Sequence, residues 1–337
     1  MSLRVTAGAA ADRKGSLEGL YVTESGGDSP ILSVIVATWN RISELRTMLE
    51  SLLPQITGEL VELVVVDDCS TDTTWEWIGA NLKGLPNVRC LRMDSNSGPG
   101  PARNLGLTYT RGHYFVPIDS DFVVVDGGID RILVALSMFP LYKLLFFPSI
   151  RYPGMQRLDC LSGRAEITYE QFLTADLGEM LPVAEVAHIR ASGLAFASFR
   201  SGGESLLWGQ ILSTGPALFL DTPVTYYRTD SPHRICTLEH QVDHPSDLAD
   251  ISDALVASFP ANASAGLRRA RAQKQLAAGT YHLLAGNVEI GRARLISAVS
   301  EGCWTAIPTL AISFVGQRMF RVLFRLYRKR LRKTYFD

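Results

Sequence analysis

Asp119 and Asp121 stand one residue apart in "YFVPIDSDFVVVDGG" (114–128), inside a run otherwise apolar enough to be a buried strand. A buried carboxylate costs free energy unless it is paired or bound to a cation. Two acids at i and i+2 on a strand share a face, so at a strand end both can approach one ion. Oxygen-only ligands suit Mg²⁺ or Mn²⁺, which keep waters and also take phosphate oxygens. A cation held there would neutralise charge developing on a phosphate leaving group. The D-x-D pattern is common by chance, so its meaning depends on the elements that carry it.

Those elements alternate. "ILSVIVATW" (31–39) and "VELVVVDD" (61–68) are β-branched and apolar throughout, the pattern of strands covered on both faces. Between them, Ile42, Leu45, Met48, Leu49, Leu52 and Leu53 recur at helical spacing up to Pro54. "STDTTWEWIGANL" predicts a second helix, with Thr73 and Glu76 as a capping box. "VRCLRM" is a third strand, "SNSGPGPARNLGLTYTRG" a Gly/Pro-rich loop and short helix, and "HYFVPID" a fourth strand. Strands alternating with helices predict an α/β fold with a mostly parallel, Rossmann-like sheet. Ligands in such sheets bind beyond the carboxyl ends of the strands. Three polar clusters fall there: Thr38-Trp39-Asn40-Arg41, Asp67-Asp68-Cys69-Ser70 and Asp119-Ser120-Asp121. Asp67 and Asp119 could merely cap the following turns, but three such strand ends together point to one shared site.

Composition narrows the class. The 337 residues are 47% hydrophobic and 20% charged, with a net charge of −1, which gives no reason to expect a nucleic-acid partner. Five cysteines without a C-x-x-C pair argue against a disulfide framework and fit a reducing cytoplasm. Residues 1–30 mix Gly, Ser, Ala and charges without a signal-peptide core and read as a mobile tail. The apolar run "AIPTLAISFV" (306–315) is too short to span a bilayer. Past about residue 240 the pattern is helical, and 241–337 reads as a helical appendage.

"SVIVATWNR", "VELVVVDDCSTDTT", "NSGPGPARNLGL" and "GHYFVPIDSD", in this order and spacing, resemble the nucleotide-sugar-binding half of family 2 glycosyltransferases. The match is strong over 31–125 and continues more weakly through "GGESLLWGQ" and "VTYYRTD" to about 235. The resemblance implies the GT-A fold, inversion, and a catalytic domain over 31–240. That domain divides into a donor half at 31–125 and an acceptor half at 126–240. It implies that Ala37, Thr38 and Asp68 contact the nucleotide, with Asp68 on the uracil of a UDP-sugar, and that Arg103 helps hold the donor. Asp119 would sit near the ribose or metal, and Asp121 would bind Mg²⁺ or Mn²⁺ directly. Glu204, after Gly202-Gly203, would be the general base for the acceptor hydroxyl. An inverting displacement needs such a base opposite the leaving group.

Three departures stand out. Cys69 replaces the family's usual Gly, Ser205 replaces a second acid after Glu204, and Asp230 takes the place of a His, with His233 three residues on. Asp230 and His233 are both candidates for a third metal ligand. A nucleotidyltransferase would show a Gly-rich, basic loop after the first strand, which "ATWNRISEL" lacks. A non-catalytic sugar-nucleotide-binding module would not need Asp68, Asp121 and Glu204 together.

The expected activity is therefore metal-dependent transfer of a hexose, glucose as first choice, from a UDP-sugar to a small soluble acceptor, as in antibiotic biosynthesis. The alternative acceptor is a lipid-linked saccharide for cell-surface polysaccharide. "RMFRVLFRLYRKRLRK" (318–333) is basic and amphipathic, the pattern of a helix on an anionic membrane surface or of one packed on its own domain. The expected location is the cytoplasm, with peripheral contact at the inner membrane face in the first case.

Overall fold

The computed structural model describes residues 17–22, 29–56, 58–157, 161–175, 177–228 and 242–335. Period-2 patterning builds its first half. On β2 (Leu32–Thr38), Val34 and Val36 enter one apolar cluster while Ile35 enters the other. On β3 (Val61–Asp67), Leu63 and Val65 face the first cluster and Val64 and Val66 the second. A strand with both faces buried needs helices above and below it. α1 (Ile42–Leu52), α2 (Thr74–Asn81) and α4 (Gly128–Met138) cover one face; α3 (Pro99–Tyr109) and α6 (Val186–Ser192) cover the other. On α1 the inward residues are Leu45, Met48, Leu49 and Leu52, as the spacing predicts. The Thr73 capping box does not form: the Asp72 carboxylate accepts from the Thr74 amide instead, at 3.0 Å.

Sheet order decides where the strand ends converge. With β4 (Val88–Met93) and β5 (Tyr114–Pro117), the parallel part runs β4-β3-β2-β5. The chain steps outward from β2 to β3 and β4, then returns to the other side of β2 as β5. That reversal is the topological switch point, where such sheets open a crevice. Beyond β5 the sheet turns antiparallel through β10 (Met180–Glu185) and β7 (Leu144–Tyr152), then continues to β11 (Ala217–Phe219) and β9 (Ala165–Ile167).

Two expectations need correction. Leu17–Val22, inside the expected mobile tail, forms β1, an antiparallel edge strand on β4. A Cβ at Gly19 would lie 2.7 Å from the Trp75 ring, so the missing side chain admits the indole. β10 carries Pro182 near its centre, which masks its strand signal in the sequence. Asp119 and Asp121 do not sit along one strand. β5 ends at Pro117, and the acids occupy the turn before β6 (Phe122–Val124), which pairs with β12 (Thr225–Arg228) in a second sheet.

The chain divides into two compact units. One draws on Met1–Phe172, Asp176–Arg200 and Leu207–Pro232, the other on Leu173–Ala175, Ser201–Leu206 and His233–Asp337. The second contains α8 (Pro245–Ala257), α9 (Ala265–Ala285), α10 (Val288–Ser300), α11 (Ala306–Ile312) and α12 (Gln317–Tyr335). α9 and α10 approach closely at Gly279 and Gly291, where a Cβ on either would lie 2.9 Å from the other's carbonyl oxygen. No helix among the described residues is long and apolar enough to cross a membrane.

Candidate active site

The loops after β2 and β3 are tied together. The Asn40 amide N–H donates to Ser70 Oγ at 2.9 Å, and Asn40 Oδ1 accepts from the Thr71 amide at 2.8 Å. The Asp68 amide donates to the Thr38 carbonyl at 2.8 Å. Asn40 and Cys69 both adopt left-handed backbone, with φ of 50° and 59°. That conformation favours glycine and tolerates few other residues, which accounts for a glycine preference at position 69. Trp39, between these tethers, is 47% exposed and offers a flat aromatic face.

Each acid of the three clusters has a defined partner. Asp67 is fully buried; its Oδ2 accepts from the Ser70 amide at 3.1 Å and lies 3.4 Å from Arg92 Nε. Burial raises its pKa above the ordinary carboxylate value, while the Ser70 contacts and Arg92 pull it down. This is the turn-capping role open to it from the sequence. Asp68 is 3% exposed, and its two oxygens accept from the Ser97 and Gly98 amides at 2.8 and 2.7 Å. Burial pushes its carboxyl up to about 6, against those two amides. One lone pair on each oxygen is thus committed to the protein, and the carboxylate anchors the loop that leads into α3.

Asp119 pairs with Arg103, whose guanidinium also lies over the Phe196 ring, 5.5 Å from its centroid. Asp121 pairs with Arg41 at 3.3 Å, both side chains being largely buried. The carboxylates in the apolar run are therefore matched by two arginines, one from the loop after β2 and one from α3. Ala37 and Thr38 lie at the end of β2 beside them, but the Thr38 hydroxyl is enclosed, with no hydrogen-bond partner among the described residues. What Thr38 presents is backbone.

The donor set fits a hard divalent cation. Asp119 and Asp121 supply only oxygens, and one or two carboxylates suffice when diphosphate and water complete the shell. Among the described residues no group of three His, Cys, Asp or Glu gathers to hold a metal without such a ligand. Asp230 and His233 lie outside the described residues.

A strap at 196–200 is registered onto α3. Asn104 donates from Nδ2 to the Phe196 carbonyl and accepts at Oδ1 from the Phe196 amide, both at 2.8 Å. A Cβ at Gly100 would lie 2.1 Å from the Ala197 carbonyl oxygen, and one at Gly98 2.9 Å from Arg200 Cα. Arg200 donates to the Asn96 carbonyl at 3.2 Å. The strap therefore grips the loop that Asp68 holds from the other side.

This combination sits at the strand ends of a doubly covered, mostly parallel sheet. Residues 33–137 match the family model described as Glycosyl transferase family 2. Over that segment the chain is similar to glycosyltransferase family 2. Succinoglycan biosynthesis protein ExoO of Rhizobium meliloti is 28% identical over 237 residues, covering 63% of this chain and 65% of ExoO, less than two thirds of its length. TarS of Staphylococcus aureus, named a poly(ribitol-phosphate) beta-N-acetylglucosaminyltransferase, is 38% identical over 91 residues, 26% of this chain and 16% of TarS. The crystal structure of TarS 1–349 in complex with UDP-GlcNAc superposes with a TM-score of 0.61 at 16% identity, over 88% of this chain and 91% of that one. Mannosyltransferase PcManGT from Pyrobaculum calidifontis, in complex with GDP-Man and Mn²⁺, gives 0.53 at 17% identity, over 86% and 80%. The shared architecture is the GT-A fold.

Glu204 is the first residue of α7 (Glu204–Leu212). Gly202 and Gly203 before it have φ of 110° and 97°, a turn closed to other residues without strain. Trp208 belongs to the apolar core. It is 7% exposed and packs edge-on against Phe196 at 5.5 Å, with Phe115 at 6.2 Å. Sequence reading passed over the partners: Arg41, Asn104 and the exposed Trp39 carried no assigned role. Asn104 lies within the "ARN" motif, and Trp39 and Arg41 lie within the first polar cluster.

Proposed function

We propose that this chain is an inverting glycosyltransferase that moves a sugar from a UDP-sugar to a hydroxyl of a saccharide acceptor in cell-surface polysaccharide synthesis. The observation that carries the donor part is the pair Asp119–Arg103 and Asp121–Arg41 at the switch point beyond β5. Two carboxylates face two guanidiniums there. A diphosphate placed there brings net negative charge, which a divalent cation on Asp121 and Asp119 offsets. The cation, when bound, neutralises the departing diphosphate. Asp230 and His233 remain the proposed third protein ligands.

Ala37, Thr38 and Asp68 border the nucleotide in this reading, and Trp39 offers its ring to the base. Arg103 orients the donor from α3. Glu204 takes the proton of the acceptor hydroxyl as that oxygen attacks the anomeric carbon; the bond from that carbon to the UDP oxygen breaks, and UDP leaves. Support for a UDP donor is the TarS complex, which holds UDP-GlcNAc. Support for the acceptor is the company the chain keeps, with relatives named for succinoglycan biosynthesis and for transfer to poly(ribitol-phosphate). The small soluble acceptor expected from the sequence gives way to the saccharide alternative on that ground.

The test is a panel of UDP-sugars with lipid-linked and free oligosaccharides, read by UDP release and product mass, with and without EDTA. A sugar added to a saccharide, lost with EDTA, is the expected result. Transfer confined to small non-saccharide acceptors would overturn the acceptor assignment.

A further inference from the structure

We propose that the outward face of α12, with the turn ahead of it, docks on an anionic phospholipid surface. The helix is anchored on one side. Phe320 is 5% exposed within the helical unit's core, and Arg321 donates from Nε and Nη2 to the Leu284 carbonyl at 3.0 and 2.8 Å. The other side is apolar and open: Met319, Val322 and Leu326 are 52%, 52% and 60% exposed. The preceding turn adds Phe314 and Val315, at 68% and 54%, with Arg292 stacked 3.9 Å over the Phe314 ring. Of the seventeen exposed large hydrophobic side chains among the described residues, ten fall between Ile290 and Leu326. Scattered apolar side chains need no explanation, whereas a concentration of them marks a binding surface.

Charge selects the occupant. Arg318 and Arg325 stand seven residues apart, so by spacing they line the helix beside Met319 and Leu326. Arg325 reaches Asp243 only at 3.7 Å, with both side chains more than half exposed. From Gly302 to Phe336 there is no acidic residue. An apolar row beside a basic row fits a bilayer interface, with the apolar side chains at the acyl boundary and the arginines among lipid phosphates. A second copy of this chain would bring the same positive charge to the contact and be repelled. This proposal goes beyond the transfer reaction and stands on the surface alone.

The experiment is cosedimentation of the full chain with vesicles of phosphatidylcholine, alone or mixed with phosphatidylglycerol. The expected result is binding to the phosphatidylglycerol vesicles, lost at high ionic strength. Val322→Glu with Leu326→Glu, or Arg318→Gln with Arg325→Gln, should each weaken it by about ten-fold or more. The altered side chains lie outside the Phe320 and Arg321 anchor, and unchanged thermal unfolding would report an intact fold. Failure of the intact chain to bind at low salt overturns the proposal, as does equal binding to both vesicle types or wild-type binding by the Glu variant. A dimer that the Glu variant dissolves, without vesicle binding, assigns the surface to a second copy and overturns it too.

Discussion

Replacing Asp68 by Asn should flatten the pH dependence of the protein's stability while weakening its hold on donor. Asp68 is buried between the Ser97 and Gly98 amides, and burial moves its carboxyl from the ordinary 3.8 to about 6. A shift of that size corresponds to about 3 kcal/mol against the ionised form. The sign follows from proton binding. Between pH 3.8 and about 6 the folded state holds the proton that the unfolded state has released. Asp68's contribution is thus fully present below the unfolded value and is lost as pH rises through the folded one. Asn removes the buried charge but keeps only one acceptor, so its NH2 faces one of the two backbone N–H groups that the carboxylate satisfies, a loss of roughly 1–3 kcal/mol. The variant should lie roughly 1–3 kcal/mol below wild type near pH 4 and gain on it by up to about 3 kcal/mol toward pH 7.5. Urea unfolding of both proteins across that range measures the difference directly, and subtraction removes the parallel titration of Asp67. Profiles that run parallel across that range would refute the burial argument. The same variant should lose roughly 1–3 kcal/mol of UDP affinity, because the loop into α3 loses a charge-assisted tether. A stability cost tolerated for a charge is intelligible only if the charge serves the site.

Other perturbations read other parts of the account. Glu204→Gln should lower kcat by about 10²–10⁴-fold, the usual range for a general base, with UDP affinity near wild type in calorimetry. Asn104→Ala removes both bonds to Phe196 and frees the strap that leads to Gly202-Gly203-Glu204. kcat should fall more than donor affinity does, and Asn104→Asp, which keeps the acceptor to the Phe196 amide, should recover part of it. Gly279→Val forces side-chain atoms against Leu295 and the Gly291 carbonyl and should cost about 1–3 kcal/mol or more, read as a lower melting temperature.

Much of this was legible in the sequence, because burial on both sheet faces leaves a plain signature. The β-branched runs at 32–38 and 61–67 and the helical spacing of Leu45, Met48, Leu49 and Leu52 fix the α/β order. Position at strand ends then marks Asp68, Asp119 and Asp121. What stayed hidden was pairing at long range. Nothing local to Asp121 announces Arg41, eighty residues away in the chain, and nothing local to Asn104 announces Phe196. β10 was masked by Pro182, and β1 is a short strand whose fit rests on Gly19 meeting Trp75. The two acids also looked like one strand because the run is apolar on either side, whereas both lie in the turn where the chain leaves one sheet and enters another.

The most direct test of the donor site is UDP binding to wild type and Asp121→Asn, by calorimetry, with and without Mn²⁺. Asp121 sits against Arg41 at the switch point, so in wild type Mn²⁺ should strengthen UDP binding at least ten-fold, about 1.4 kcal/mol. In the variant that gain should vanish while cation-free binding stays close to wild type. Equal UDP affinity in wild type with and without the cation, or an undiminished Mn²⁺ effect in Asp121→Asn, would contradict a cation-assisted nucleotide-sugar site at these strand ends.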